Sequence, residues 1–323
     1  MGIIANKAII GIDKSRSFRV YFAVTTKMAD EARAIHKTAP TATAALGRAL
    51  TGGSLMGLML KNPKDKLTLQ FKGDGPAKEI LVTATGTGSV KGYISNPDAE
   101  LPSREDGKLD VSGIVGKGTL TVIKDQGLKE PYVGRIDLVS GEIAEDLTAY
   151  FYLSEQLSTS VALGVKVDVD GSVIAAGGMI IQMLPDADPE SIDALESLIA
   201  ELPPITSIVA DCNDGEKSYE KAFEKVFDGL PDEYGIEILE HKDIGWNCDC
   251  SVERLERVLL SIGEQDLREI AVEDEEAELT CQFCTKKYHF DKEHLDMLLR
   301  VSVRSNEIIE DRKRKQEIDL NNN

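Results

Sequence analysis

Apolar positions along this chain change period several times, and the changes divide it into segments. Residues 8–12 (AIIGI) and 18–24 (FRVYFAV) are nearly continuous apolar runs around a polar turn, Asp13-Lys14-Ser15, and read as strands. Residues 28–38 have a helical pattern that ends before Pro40. A second helix is expected over 41–60, with Leu46, Leu50, Leu55, Leu58 and Met59 recurring mostly at three- to five-residue steps. Its small residues, among them Ala44, Ala45, Gly52, Gly53 and Gly57, permit close packing. From 66 to 143 the pattern becomes short alternating runs (KLTLQFKG, EILVTATG, SVKGYISN, GTLTVIKD, YVGRIDLVSG) punctuated by Gly and Pro, the signature of a largely antiparallel sheet. Residues 144–160 return to a helical pattern, and two more strand candidates, 161–169 and 173–184, are joined by Asp170-Gly171.

Pro185 and Pro189 close this first region. Residues 189–202 carry Ile192, Leu195, Leu198 and Ile199 on one helical face, and residues 217–230 read as another helix. Pro203-Pro204 and Pro231 divide these pieces. Stripes this narrow must dock on something larger, which makes the region a candidate for order–disorder change. Beyond Trp246, Ser251 can cap a helix with Glu253 in its first turn, and Gly263 can end it. Val252, Leu255, Val258, Leu259 and Ile262 form its apolar stripe; the strand-like ELTCQFC and YHF follow an acidic run, Glu273–Glu276. The expected architecture is α+β: an N-terminal α/β sandwich-like domain with a mostly antiparallel sheet (1–184), an acidic helical linker (185–240), a small C-terminal domain (241–300) and a frayed tail (301–323).

Charge narrows the function. The net charge of −19 argues against nucleic acid as a partner, because backbone binding needs a basic surface. Residues 186–240 hold 16 acids against three lysines, whereas residues 1–61 hold nine Lys or Arg against three acids. Either the acidic middle lies against a basic N-terminal surface or it is a solvated acidic face. No run approaches the roughly 20 apolar residues that cross a bilayer, so no membrane partner is expected. The start of the chain reads as a strand and not a leader, and the expected location is cytoplasmic. No serine–histidine–acid set stands out, and Gly86, Gly88 and Gly92 miss the spacing of a dinucleotide loop by one position. An enzyme is not expected.

The candidate chemistry lies in the cysteines. Cys248-Asp249-Cys250 and Cys281-Gln282-Phe283-Cys284 form two close pairs on separate segments. Four such thiolates suit one tetrahedral zinc ion, or the same pairs close as two short disulfides. In a cytoplasmic protein close pairs favour metal binding or redox sensing over structural disulfides. A unit of this size buries little apolar surface, so a metal would supply much of its folding energy. His241, His289 and His294 are weaker candidates: a finger built from Cys281, Cys284, His289 and His294 leaves too little chain between its halves and the C-x-C pair unexplained. Cys212 has no neighbour in sequence and reads as an incidental or half-buried thiol.

WNCDCSVERLERVLLSIG followed by CQFCTKKYHF resembles the zinc centre of the redox-regulated 33-kDa heat-shock chaperonin family. TATAALGRAL, VKGYISNP, GKGTLTVIKD and AAGGMIIQMLP are similar to that family's N-terminal domain. The resemblance implies an ATP-independent holdase chaperone. Cys248, Cys250, Cys281 and Cys284 would bind one Zn2+ per chain in the reduced, inactive state. On oxidation it implies Cys248–Cys250 and Cys281–Cys284 disulfides, zinc release, linker unfolding, a homodimer and binding of unfolding client proteins under oxidative and heat stress. Two other readings compete with it: a purely structural zinc ribbon, and a thiol–disulfide oxidoreductase using Cys281 and Cys284.

Overall fold

A computed structural model of the chain describes residues 6–304 except 213, 214 and 216. The tail read at 301–323 lies outside the described residues from 305 onward. The chain forms two compact units that divide between Asn247 and Cys248, beyond the boundary read at residue 241.

In the first unit, β1 (Lys7–Asp13) and β2 (Phe18–Val24) form the centre of a five-stranded sheet. Two helices follow, α1 (Thr26–His36) and α2 (Pro40–Leu58). Next come β3 (Lys66–Gly73), β4 (Glu79–Thr85), β5 (Ser89–Ile94), a short helix α3 (Val111–Val115), β6 (Gly118–Asp125) and β7 (Tyr132–Asp137). A helix α4 (Ala144–Tyr150), extended by a π-helical turn to Glu155, precedes β8 (Thr159–Val167) and β9 (Val173–Met183). The linker segment supplies α5 (Pro189–Glu201), α6 (Ile205–Asp211) and α7 (Ser218–Phe227), and then β10 (Ile236–Asp243) and the short β11 (Gly245–Trp246). The first sheet has the order β10-β1-β2-β9-β8 and the second β11-β5-β4-β3-β6-β7. All pairings within them are antiparallel except β11 with β5.

The near-continuous apolar runs of β1 and β2 have a direct cause. Neighbouring residues on a strand face opposite sides, so a strand covered on both faces has no position left for a polar residue. Ala8, Ile10, Tyr21 and Ala23 point into one core with α2 and the second sheet; Ile9, Val20, Phe22 and Val24 point into another with α5, α6 and α7. The layers alternate: sheet, α1 and α2, sheet, linker helices. Lying between two sheets, α2 is buried nearly all round, which is why its apolar pattern has no clean polar face.

The linker helices dock mainly through apolar side chains. Phe223 of α7 meets Phe22 edge-on, with ring centroids 5.7 Å apart, and Leu195, Ile208 and Val226 are buried beside it. One buried polar joint assists. The Asp13 carboxylate accepts from the backbone N–H of Phe18 at 2.8 Å and lies 3.4 Å from the Ser191 hydroxyl of α5, while the Ser17 hydroxyl accepts from Asp188 N–H at 2.8 Å. Among the described residues, no ion pair joins the acids of 186–240 to the basic residues of 1–61. The charge asymmetry does not attach the linker; Phe223, Leu195 and their neighbours do.

The linker region ends in a strand that its sequence hides. β10 pairs antiparallel with β1 over its whole length, yet it is largely exposed and mixes Ile236, Ile238 and Leu239 with charged residues (IEILEHKD), so it shows no continuous apolar run.

The second unit contains α8 (Val252–Ser261), α9 (Glu264–Glu269) with a π-helical turn to Asp274, a hairpin of β12 (Ala277–Thr280) and β13 (Lys287–Phe290), and a helix at residues 292–304. Leu259, Leu267, Ala271, Tyr288, Phe290, Leu295 and Leu298 form its buried hydrophobic core together with Cys281. No helix among the described residues is long and apolar enough to cross a membrane.

The close packing of α2 gives a direct test. A Cβ added at Gly57 would sit 2.5 Å from the Thr85 carbonyl oxygen of β4, and backbone cannot swing aside as a side chain can. Gly57→Ala should lower unfolding stability by about 1–3 kcal/mol, as overpacking commonly does. A thermal melt of the first unit's transition checks it, and an unchanged melt would count against so tight a seam.

Candidate metal centre

The two halves of the cysteine centre are positioned by different local rules. Ser251 caps α8, its hydroxyl accepting from Arg254 N–H at 3.3 Å, and this fixes the helix start directly after Cys250. Arg254 also pairs with Asp249 at 2.6 Å, holding the residue between the first two cysteines. The other half is the turn of the β12–β13 hairpin. Cys281 N–H donates to the Lys286 carbonyl at 2.9 Å and Thr285 N–H to the Cys281 carbonyl at 2.8 Å; Thr285 takes a left-handed conformation, φ 59°, to close the loop. The strand expected to run through both cysteines stops at Thr280, because Cys281–Cys284 must curl to aim two sulfurs at one point.

The four Sγ atoms of Cys248, Cys250, Cys281 and Cys284 all lie within 4.8 Å of one another. Cys248 and Cys281 are 3.7 Å apart, and Cys250 and Cys284 are 3.3 Å apart. All four are free thiols, and both of these contacts run between the segments. A tetrahedral site with bonds of about 2.3 Å to sulfur needs sulfurs separated by about 3.8 Å. The cage therefore fits a tetrahedral metal ion with four sulfur ligands, a donor set that selects zinc or iron.

The electrostatics support the same fit. Burial is the largest influence on Cys250 and opposes its ionisation, but hydrogen bonds from Tyr288 and the other three thiols outweigh it and bring the group down to about 7. Burial is also the largest influence on Cys248 and Cys284, and both are pushed up. Left alone, the cluster carries one stabilised thiolate and resists more. A divalent cation removes that resistance, and its uptake must displace protons from the remaining thiols.

Tyr288 is the residue that sequence reasoning missed. Its hydroxyl lies 3.1 Å from both Cys250 Sγ and the Cys250 carbonyl oxygen, and Lys286 sits over its ring at 4.9 Å. Only a faint signal marks it: in KYHF of β13 the alternation buries Tyr288 and Phe290 and exposes Lys287 and His289. The histidines stay outside the cluster. His289 is 3.6 Å from Glu276, His294 bonds Glu256 at 2.7 Å, and His241 bonds Tyr219 at 3.2 Å in the first unit. Cys212 is half-buried at the C-terminus of α6, against the linker core.

A family model described as Hsp33 protein matches residues 6–291. The chain belongs to the Hsp33 family. A 33 kDa chaperonin of Alkaliphilus oremlandii is 49% identical over 294 residues, covering 91% of this chain and 96% of that protein. One from Clostridium perfringens is 47% identical over 317 residues, covering 97% of each. Among solved structures, the crystal structure of the 33 kDa chaperonin (heat shock protein 33 homolog) of Thermotoga maritima matches with a TM-score of 0.81 at 33% identity, over 93% of this chain and 99% of that one. An Hsp33-type chaperone is thus the class to which the four-cysteine centre belongs.

Two variants test the centre. Cys281→Ala should abolish stoichiometric metal binding and loosen the second unit, checked by metal content and by the near-ultraviolet signal of that unit. Tyr288→Phe keeps the ring and removes the hydroxyl; losing such an outer partner should weaken metal binding about 10–100-fold. In the metal-free protein the same change should raise the pH midpoint of Cys250 alkylation above its value near 7, since a hydrogen bond to the thiolate has been lost. An unmoved midpoint would remove Tyr288 from the centre.

Proposed function

We propose that this chain is a redox-regulated, ATP-independent holdase of the cytoplasm. In the reduced state Cys248, Cys250, Cys281 and Cys284 hold one zinc ion, and the protein is an inactive monomer. The observation that carries the reading is the position of the cage: its sulfurs come from two segments and Cys281 belongs to the small core of the second unit. Bound zinc supplies charge neutralisation and cross-linking, and no redox chemistry of its own.

The cysteines act as the sensor. One equivalent of peroxide takes two electrons from the Cys248 and Cys250 thiolates, forming their disulfide and reducing the peroxide to water; a second equivalent does the same at Cys281 and Cys284. Thiolates held close together are the form that reacts with oxidants. This pairing is the one the family resemblance implies. Once both pairs have closed, no thiolate ligand remains, and a unit with so small a core loses its folding energy with its metal.

The linker, 185–240, is the effector. It joins the cysteine unit through β10 and covers the outer face of the first sheet, where Ile9, Phe18, Val20, Phe22 and Met179 are buried beneath α5, α6 and α7. Lifting those helices exposes a contiguous apolar surface, and the 1–184 domain can then bind unfolding client proteins and a second copy of the chain. Neither nucleic acid nor membrane enters this scheme, and no residue is assigned a catalytic role.

The test compares one preparation before and after peroxide at elevated temperature, following zinc release with a chromogenic chelator and suppression of thermal aggregation of a model client. Suppression should appear only after oxidation, with about one zinc released per chain. Equal suppression by the reduced protein, with zinc retained, would leave a structural zinc ribbon in place of a switch. Limited proteolysis gives a second measure: after oxidation, cleavage within 186–240 should precede cleavage within 1–180, and the reverse order would contradict a releasable linker.

A further inference from the structure

The first sheet has two edge strands, β10 and β8, and the edge at β8 opens into a cleft. β8 pairs with β9 on one side and with no strand on the other. The cleft, of about 820 Å3, is lined by all of residues 161–167. Consecutive strand residues face opposite sides, so a run of seven that lines one cavity means the cavity follows the strand's edge and neither face alone.

The hydrogen-bond phase of β8 identifies the groups aimed into it. Met183 N–H donates to the Ser158 carbonyl, its direct opposite, at 2.9 Å, which makes this a hydrogen-bonded pair. Antiparallel pairs alternate, so Val161, Leu163 and Val165 are non-bonded partners of β9, and their N–H and C=O groups point outward. Ala176, opposite Val165, behaves as this phase demands: it gives its carbonyl to Thr25 on its other side at 2.8 Å. Among the described residues, no other element bonds the outward groups of Val161, Leu163 and Val165.

The walls differ in chemistry. On the α2 side stand Arg48, Arg104 and Lys108. A single carboxylate, Glu142, is shared by both arginines, with Arg104 at 3.0 Å, and Arg48 Nε is buried without a partner. Counting Lys166 and Glu145, the lining holds four cations against two carboxylates, and Asp106 just outside it stands 3.3 Å from Lys108 and 3.9 Å from Arg104, which leaves a small cationic excess. On the opposite side stand Ile199, Leu202, Pro203 and Ile205 of the linker, packed so closely that a Cβ on Gly164 would meet Ile205 at 2.8 Å.

We propose that the free edge of β8 is a docking site for an extended acidic–apolar peptide segment, which adds as a sixth strand. Its backbone bonds Val161, Leu163 and Val165. Alternate side chains face the cationic wall and the apolar linker wall, so the site selects acidic residues at every second position and apolar ones between. Main-chain bonds supply affinity in such strand addition, and the flanking pockets supply choice. The cleft is open with α5 and α6 in place, so this binding belongs to the reduced, folded chain and stands apart from the redox reading.

The experiment uses the reduced full-length chain and two blocked, fluorescein-labelled heptapeptides, one alternating Glu and Val, the other Lys and Val. The Glu–Val peptide should bind about tenfold or more tightly than the Lys–Val peptide and weaken as salt is added. Hydrogen exchange should slow at the amides of Val161, Leu163 and Val165 and not at Ala162 or Gly164. Arg104→Gln with Lys108→Gln, both partly exposed, should lose that preference while the melting temperature holds. Leu163→Pro removes one outward N–H, a change that edge strands tolerate, and should abolish binding with the melt again as control. Equal affinity for both peptides, unchanged exchange at the three amides, or unaltered binding by the variants would overturn the proposal. So would saturable binding of oleate with none of the peptide, which would assign the cleft to an anionic amphiphile.

Discussion

The first unit depends on two inner strands, β1 and β2, that have no solvent face. Because β1 and β2 present apolar side chains on both sides, the sheet is stable only between two covers. One cover, α2 and the second sheet, is made by the same domain. The other is the linker. A polar substitution on the outer face would make that cover dispensable, and a better-packed linker would make it permanent. Phe18, Val20 and Phe22 beneath short, proline-divided helices fall between those limits.

The second unit meets the opposite constraint. Its buried residues are few, and the cysteine centre lies within them, so sulfur ligation and core packing are one structural element. Each half of the cage is also held locally, by the Ser251 cap and by the Thr285 turn. Those local devices place two sulfurs each. Tyr288 reaches from the hairpin to Cys250 at the α8 start, and an ion with all four sulfurs as ligands would tie the two halves together more strongly.

Legibility followed the strength of the local signal. Cys248, Cys250, Cys281 and Cys284 could be read because thiol pairs on separate segments have few uses, and the structure brings those four together. The strands within residues 66–143 could be read from alternation, and α2 from Leu46, Leu50, Leu55, Leu58 and Met59 at three- to five-residue steps. β10 could not, since a short, exposed edge strand that mixes Ile236, Ile238 and Leu239 with charges gives no clear period; its pairing with β1 makes it a strand. Tyr288 looked like one more strand aromatic, because what distinguishes it is a 3.1 Å approach to a sulfur 38 residues away. Charge distribution alone could not decide how the linker is attached. The acidic linker and basic start left open either an electrostatic dock or a solvated acidic face, and Phe22 and Phe223 show the linker helices attached by apolar contact.

The geometry of the sulfur cage bears on how the proposed oxidation would become mechanical. Cys248 to Cys281 and Cys250 to Cys284 are contacts across the cage, between segments. Disulfides between Cys248 and Cys250, and between Cys281 and Cys284, would close within segments. The same four sulfurs would then change from a link between α8 and the hairpin into two rings that join nothing. Oxidation of that kind adds covalent bonds and yet lowers the connectivity of the unit, because a ring of a few residues constrains the unfolded chain very little. Cross-segment disulfides would do the reverse and lock the unit shut. The pairing therefore decides whether oxidation acts as a release or as a clamp, and only the within-segment pairing is compatible with a linker freed by oxidant.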